Sequence, residues 1–286
     1  MQFGDYRVEI VPDTEFRLDG GAMFGVVPRN LWSKVCPPDE QNRIRMNMNC
    51  LFIETESDRI LIETGIGEKW PEKQSTMYGI TRERPLADSL RAVTGVGPEE
   101  ITIVINTHLH FDHAGGNTAL DGTGKAVPAF PNARYLVAAA EFENAERPSE
   151  RDRASYLPEN WRPVVESGQL ELRDANYNVV PGLKMETHPG HNRSMQCWRL
   201  EQGGQTLFGF ADLVPMRAHV PLPWIMGYDL FPVETLESKK RLLPQAARER
   251  WLCLFYHDPD APLSRVIEEE GKFRAVGVEQ ALGARS

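Results

Sequence analysis

Apolar residues recur along this chain in two spacings. Alternating or β-branched runs occupy residues 6–11, 46–55, 59–63, 101–106, 133–137, 169–173, 183–187, 206–211 and 251–256, and each predicts a strand. The run at 101–106 is β-branched throughout its first five positions and apolar at all of them but Thr102, as suits a buried strand. Helical spacing marks three further stretches. Leu86, Leu90 and Val93 predict a helix over 86–96 that stops near Gly95 and Gly97, and 138–145 and 235–250 predict two more. Each half of the chain carries strands, a helix, then strands, without repeats or heptads. That order predicts an α/β fold of layered sheets and helices, with residues 1–286 in a single domain.

Two apolar stretches have no period. Residues 18–32 are rich in glycine and include Met23, Phe24 and Trp32. Residues 213–232 include Pro221, Pro223, Trp224, Met226 and Tyr228. Either stretch could be core packing, a subunit contact or the wall of a substrate pocket. Residues 147–163 predict a polar surface excursion with room for a short helix, and residues 275–286 a fading tail.

Composition narrows the function. The 286 residues can bury a full core without disulfides, and a formal net charge of −9 argues against nucleic-acid or anionic-membrane partners. Cys36, Cys50, Cys197 and Cys253 are scattered with no paired spacing, so they predict free thiols in a reducing compartment. The first residues lack the basic and apolar pattern of a signal peptide, and no apolar run is long enough for a membrane span. The expectation is a soluble cytoplasmic protein.

Chemistry concentrates at residues 107–116. His108, His110, Asp112 and His113 fall within six positions, directly after the buried strand at 101–106. Residues two apart in extended chain point the same way, so His108 and His110 can converge. Asp112 and His113 would occupy the turn that follows, with Gly115 and Gly116 letting the backbone turn tightly. Imidazole nitrogen with carboxylate oxygen suits zinc, iron, manganese or cobalt. Later strand ends carry further candidates: His188 and His191 around Pro189-Gly190, Asp212 after the strand at 206–211, and His257-Asp258 after the strand at 251–256. Each alone is weak, since a lone His or Asp at a strand end is commonly structural. No GxSxG element and no Cys–His pair stands out, so covalent catalysis is not indicated.

His108-Leu109-His110-Phe111-Asp112-His113, then Pro189-Gly190-His191, Asp212 and His257 resemble the metallo-β-lactamase superfamily. The resemblance runs from about residue 6 to 259 and implies an αββα sandwich. Within that superfamily the chain is most similar to the branch of N-acyl-homoserine lactonases. Gly20-Gly21-Ala22-Met23-Phe24-Gly25, Leu31-Trp32, Trp224-Ile225-Met226 and Phe255-Tyr256-His257-Asp258 carry that likeness, and phosphotriesterase-like members are also similar. The resemblance implies that His108, His110 and His191 hold one divalent metal ion, that Asp112, His113 and His257 hold a second, and that Asp212 bridges them. Zinc is the first expectation for both ions, with iron, manganese or cobalt as alternatives.

Two positions depart from the family pattern. Glu63-Thr64-Gly65 stands where an Asp-Thr-Gly element is usual, and the extra methylene bears on a hydrogen bond to a metal-binding histidine. Many lactonases also carry a tyrosine soon after the bridging aspartate, where this chain has Leu213, Val214 and Pro215. Tyr228 or Tyr256 could supply that hydroxyl. His219 could reach the pocket from its loop, and His188 reads as a supporting residue.

The expected chemistry is hydrolysis. Two ions about 3.5–4 Å apart can share a hydroxide that attacks an ester-type carbonyl. Asp112 is the candidate to carry the proton to the leaving oxygen. The expected substrate is a small molecule with an apolar part, a lactone first, and the apolar stretches favour a homodimer. Phosphotriester or thioester hydrolysis on the same site is the alternative. A non-haem iron redox enzyme and a non-catalytic binding protein of the same fold rank below it. A β-lactamase is disfavoured by the missing export signal and by Asp212, since several zinc β-lactamases use Cys at that position.

Overall fold

Runs of buried branched residues form the parallel centre of one seven-stranded sheet. The structure, a computed structural model, describes residues 1–278. By internal contact the described residues divide into two compact units, one of Met1–Phe16 and Asn47–Tyr177, the other of Arg17–Met46 and residues 178–278. No helix among the described residues is long and apolar enough to cross a membrane.

The first sheet runs Gln2–Phe3, Tyr6–Asp19, Arg43–Glu54, Arg59–Ile62, Ile103–Ile105, Arg134–Ala138, Leu170–Arg173. Arg43–Glu54 and Arg59–Ile62 are antiparallel, joined by the polar turn expected from sequence. The next three pairings are parallel. Ile60, Leu61, Ile62, Ile103, Val104 and Ile105 are all buried, as central parallel strands demand. Parallel neighbours need a crossover, and helix Leu86–Thr94 supplies it between Arg59–Ile62 and Ile103–Ile105. It ends where expected, with Gly95 left-handed at φ 78°.

The second sheet runs Asn176–Val180, Leu183–Thr187, Gln196–Gln202, Gln205–Gly209, Leu252–Leu254, Leu263–Glu269, Lys272–Gly277. From Leu183–Thr187 to Lys272–Gly277 the neighbouring strands pair antiparallel except Gln205–Gly209 with Leu252–Leu254, which run parallel, and the 18-residue helix Pro232–Glu249 makes that crossover. Leu242, Leu243 and Ala246 are its buried apolar face.

Several expectations needed revision. The strand expected at 6–11 extends over 14 residues, Tyr6–Asp19, and residues 20–32 hold two short helices, Gly20–Phe24 and Arg29–Trp32, too brief to show a period. The strand expected at 101–106 contracts to Ile103–Ile105, because Pro98–Glu100 forms a 3-10 turn just before Ile101. Gln196–Gln202 escaped notice because four of its first five residues are buried and nothing alternates. Residues 275–277 are not tail: they close the strand Lys272–Gly277 against Leu263–Glu269. The rest of the expected tail, 279–286, lies outside the described residues.

Candidate metal centre

In the first unit, the strand Ile103–Ile105 delivers the chain to a buried loop. His110 is extended, at φ −64° and ψ 155°, and directly precedes the short helix Phe111–Ala114. Asp112 and His113 therefore sit on a helical turn rather than in an open one. All four candidate ligands are buried. The His108 ring lies 4.5 Å from that of His110 and 4.1 Å from that of His113. His108 and His110 share one group of residues able to hold a metal, and Asp112 and His113 share a second, with the ligand atoms of each pair within 4.8 Å.

Gly115 and Gly116 serve a different purpose from the one expected. Gly115 has an ordinary φ of −57°, so no strained turn calls for glycine there. A Cβ at Gly115 would instead lie 2.2 Å from the Ile66 carbonyl oxygen, and one at Gly116 2.2 Å from that of Thr64. Close approach of two backbones is what requires them. Lys69 clamps the same place, donating from Nζ to the Gly115 carbonyl at 2.6 Å and the Thr118 carbonyl at 2.9 Å. Burial lowers the Lys69 ammonium to about 8.

Outer partners orient these rings. Glu63 Oε1 lies 3.3 Å from His113 Nδ1 and accepts the Thr107 N–H at 3.2 Å. Asn106 Nδ2 donates to the His113 carbonyl at 3.2 Å, and the Thr107 hydroxyl lies 3.0 Å from His108 Nδ1. Contacts at Nδ1 leave Nε2 as the ligand nitrogen of His108 and His113. Glu63 itself is left-handed, at φ 66°, an unusual conformation for a residue with a Cβ.

The second unit brings together three more. Asp212 lies on a 3-10 turn, Ala211–Leu213, just past the strand Gln205–Gly209. Its Oδ2 is 3.5 Å from His191 Nε2, and its Oδ1 is 3.1 Å from His257 Nε2. One carboxylate thus turns an oxygen to each of two histidines. His191 Nδ1 lies 3.1 Å from Asp229 Oδ1, while the Thr235 hydroxyl donates to Asp229 Oδ2 at 2.7 Å. The His257 N–H donates to the Pro215 carbonyl at 2.9 Å, which ties it to the loop after Asp212. Sequence reasoning passed over Asp229, which lies 38 residues from its histidine inside an apolar loop.

The remaining candidates have neighbours of their own. His219 is 1% exposed, its ring stacked on Phe24 at 4.6 Å and its Nε2 2.9 Å from the Met23 carbonyl oxygen. Burial pushes it down to about 4, which keeps it neutral. Lys239, fully buried, donates to the carbonyls of His219, Pro221 and Trp224 at 2.6–2.9 Å and so fastens this loop. Tyr228 is 40% exposed. The Tyr256 hydroxyl accepts from Trp198 Nε1 at 2.6 Å. His188 accepts at Nδ1 from Arg241 Nη2 at 3.3 Å and lies 3.6 Å from Glu186.

A buried set of imidazoles and carboxylates, with further carboxylates behind the imidazoles, has the chemistry of a divalent transition-metal site. Comparison with known proteins agrees. The family model of the Metallo-beta-lactamase superfamily matches residues 44–257. The chain belongs to the metallo-beta-lactamase superfamily. Among relatives, it is 29% identical over 242 residues to an N-acyl homoserine lactonase of Bacillus thuringiensis, covering 77% of this chain and 85% of that protein. Among solved structures, a probable metal-dependent hydrolase from Staphylococcus aureus shares 30% identity, with a TM-score of 0.88, over 98% of this chain and 99% of that one. AidC, a dizinc quorum-quenching lactonase solved with a product, shares the fold at 21% identity, with a TM-score of 0.79, over 97% and 96% of the two chains. The metallo-beta-lactamase fold, the hydrolase class and the likeness to lactonases expected from sequence all stand.

Proposed function

We propose that this chain is a two-metal lactonase acting on N-acyl-homoserine-lactone-like substrates, working as a single 286-residue hydrolase domain. His108, His110 and His191 would hold one divalent ion, Asp112, His113 and His257 the other, and Asp212 would serve both. The observation that carries this reading is Asp212, whose two oxygens face His191 and His257 separately at 3.5 and 3.1 Å. Lactonases among the relatives support the substrate class. Zinc is the first choice for both ions, and the ligand types suit iron, manganese or cobalt as well.

When bound, the two ions would polarise the substrate carbonyl and make water nucleophilic at neutral pH. The chain's own residues do the rest. Asp112 carries the proton to the ring oxygen that leaves as the lactone opens. Beside it, Phe111 packs against Trp70 and Tyr78 at 5.2 Å each, next to a cavity of about 330 Å³ that Trp70, Tyr78 and Leu157 help line. This aromatic face would take the apolar acyl part and exclude water from it. The exposed Tyr228 would supply a hydroxyl to orient the substrate carbonyl, and the buried His219 would shape the loop that bears it. We further place the enzyme in the cytoplasm as a homodimer.

Two measurements on metal-replete protein test this. Elemental analysis should find two transition-metal ions per chain. A hydrolysis panel of lactones, phosphotriesters, thioesters and β-lactams should show acyl-homoserine lactones cleaved fastest. One ion or none removes the two-metal reading, whereas preference for a phosphotriester or thioester removes the lactonase reading alone.

A further inference from the structure

Glu141 lies on the helix Ala139–Glu146 and is fully buried. A carboxylate is costly to bury unless its oxygens are engaged. Here Oε1 accepts two hydrogen bonds, from the Leu109 N–H at 2.8 Å and from the Tyr156 hydroxyl at 2.9 Å. Both donors belong to a buried cluster with Ala114, Val137, Ala145 and Trp161. Leu109 is the residue between His108 and His110, so its N–H belongs to the peptide that joins it to His108. Tyr156 reaches His110 in two further ways. Its ring meets the His110 ring edge-on at 4.6 Å and 71°, and the two residues form an isolated antiparallel backbone bridge.

One carboxylate oxygen therefore fixes the backbone on the N-terminal side of His110 and the aromatic ring that packs against it. We propose that Glu141, acting through Tyr156 and the Leu109 peptide, is a positioning residue that sets the angle at which His110 meets its metal. The inference rests on the reading of His110 as a ligand. It assigns Glu141 no contact with substrate. Its effect is geometric: the imidazole is held where it must be before a metal arrives, so ordering the loop is not charged against binding.

Three variants test it, each first checked for a native-like melting transition. Glu141→Leu removes the acceptor, Glu141→Gln keeps an acceptor oxygen and loses the charge, and Tyr156→Phe keeps the ring and loses the hydroxyl. Metal affinity is read by chelator competition, and site geometry by the visible absorption of the cobalt-substituted protein. Glu141→Leu should bind one of the two ions about 10–100-fold more weakly and shift its absorption. Glu141→Gln should recover most of the affinity, with Tyr156→Phe in between. Wild-type affinity and absorption in Glu141→Leu would overturn the proposal. So would equal damage from Gln and Leu, because charge rather than hydrogen bonding would then be the cause. If Glu141→Leu does not fold, Tyr156→Phe decides: an unchanged affinity and spectrum overturns the proposal. His110→Ala is the control for the underlying reading. If it retains both ions, the ligand assignment itself fails, whatever Glu141 does.

Discussion

Asp229 lies between His191 and Thr235, with one carboxylate oxygen 3.1 Å from the His191 Nδ1 and the other accepting the Thr235 hydroxyl at 2.7 Å. This chain holds the ring, fixes its tautomer and leaves Nε2 turned toward Asp212. Asp229→Ala should therefore weaken metal binding about 10–100-fold without unfolding the protein. Thr235→Val should act in the same direction and more weakly, since Asp229 keeps its contact with the ring. Chelator competition on the two variants checks both. An Asp229→Ala protein that holds metal as tightly as wild type would show that His191 needs no support from this loop.

Glu63 plays the corresponding part for His113, from a left-handed backbone. The same carboxylate also accepts the Thr107 N–H at 3.2 Å, so it ties the His113 ring to the residue before His108. Glu63→Asp, the residue usual in the family, should withdraw the carboxylate by about 1.5 Å, one C–C bond. Metal affinity at His113 should fall, and Glu63→Gln should lower it further by removing the charge behind the imidazole. If Glu63→Asp instead tightens binding, the Glu63 contact is not what orients His113.

How much of this was legible in the sequence depends on distance along the chain. His108, His110, Asp112 and His113 announce themselves because they are crowded after a strand, and His191, Asp212 and His257 because each ends an apolar run. Asp229 and Glu141 do not. Each is a single acid in an otherwise ordinary segment, and its partner lies 38 or 32 residues away. The strands were legible where they alternate or are uniformly branched, and not at Gln196–Gln202, whose glutamine, cysteine and arginine hide its buried character. The Glu72–Met77 helix has no buried residue and so no apolar face to read.

Gly67 tests the close approach that seats the metal loop. It is left-handed at φ 70°, and a Cβ there would lie 2.3 Å from the Gly115 carbonyl oxygen. Arg82 donates to the Gly67 carbonyl at 2.8 Å and pairs with Asp13, while the Ile66 N–H donates to Asp13 at 2.8 Å, so this loop has little freedom to retreat. Gly67→Ala combines a left-handed penalty of about 1–2 kcal/mol with a backbone clash. A loss of about 2–4 kcal/mol is expected. At roughly 2–4 °C per kcal/mol, the melting temperature should drop by about 4–16 °C. Metal loading should fall with it, because the displaced neighbour is two residues from His113. A variant that melts within a degree of wild type would mean the two backbones separate easily.

Glu186 makes stability depend on acid. It ends the run before His188, and contact with His188, helped by Arg199 and Lys184, lowers its carboxyl from 4.5 to about 2. The folded state therefore favours the charged form more than the unfolded chain does. The stabilisation is complete above about pH 4.5 and drains away as pH falls toward 2. The group is partly solvated, so solvent screening reduces its worth to about 1 kcal/mol. Glu186→Gln should melt about 2–4 °C below wild type at pH 7. Between pH 4.5 and 3 that gap should narrow, since the unfolded wild-type chain takes up a proton at Glu186 there while the folded state still holds the carboxylate ionised. Melting curves of the two proteins across this range read the effect directly. A gap that stays constant through pH 3 would assign the loss to packing at this strand end instead of to charge.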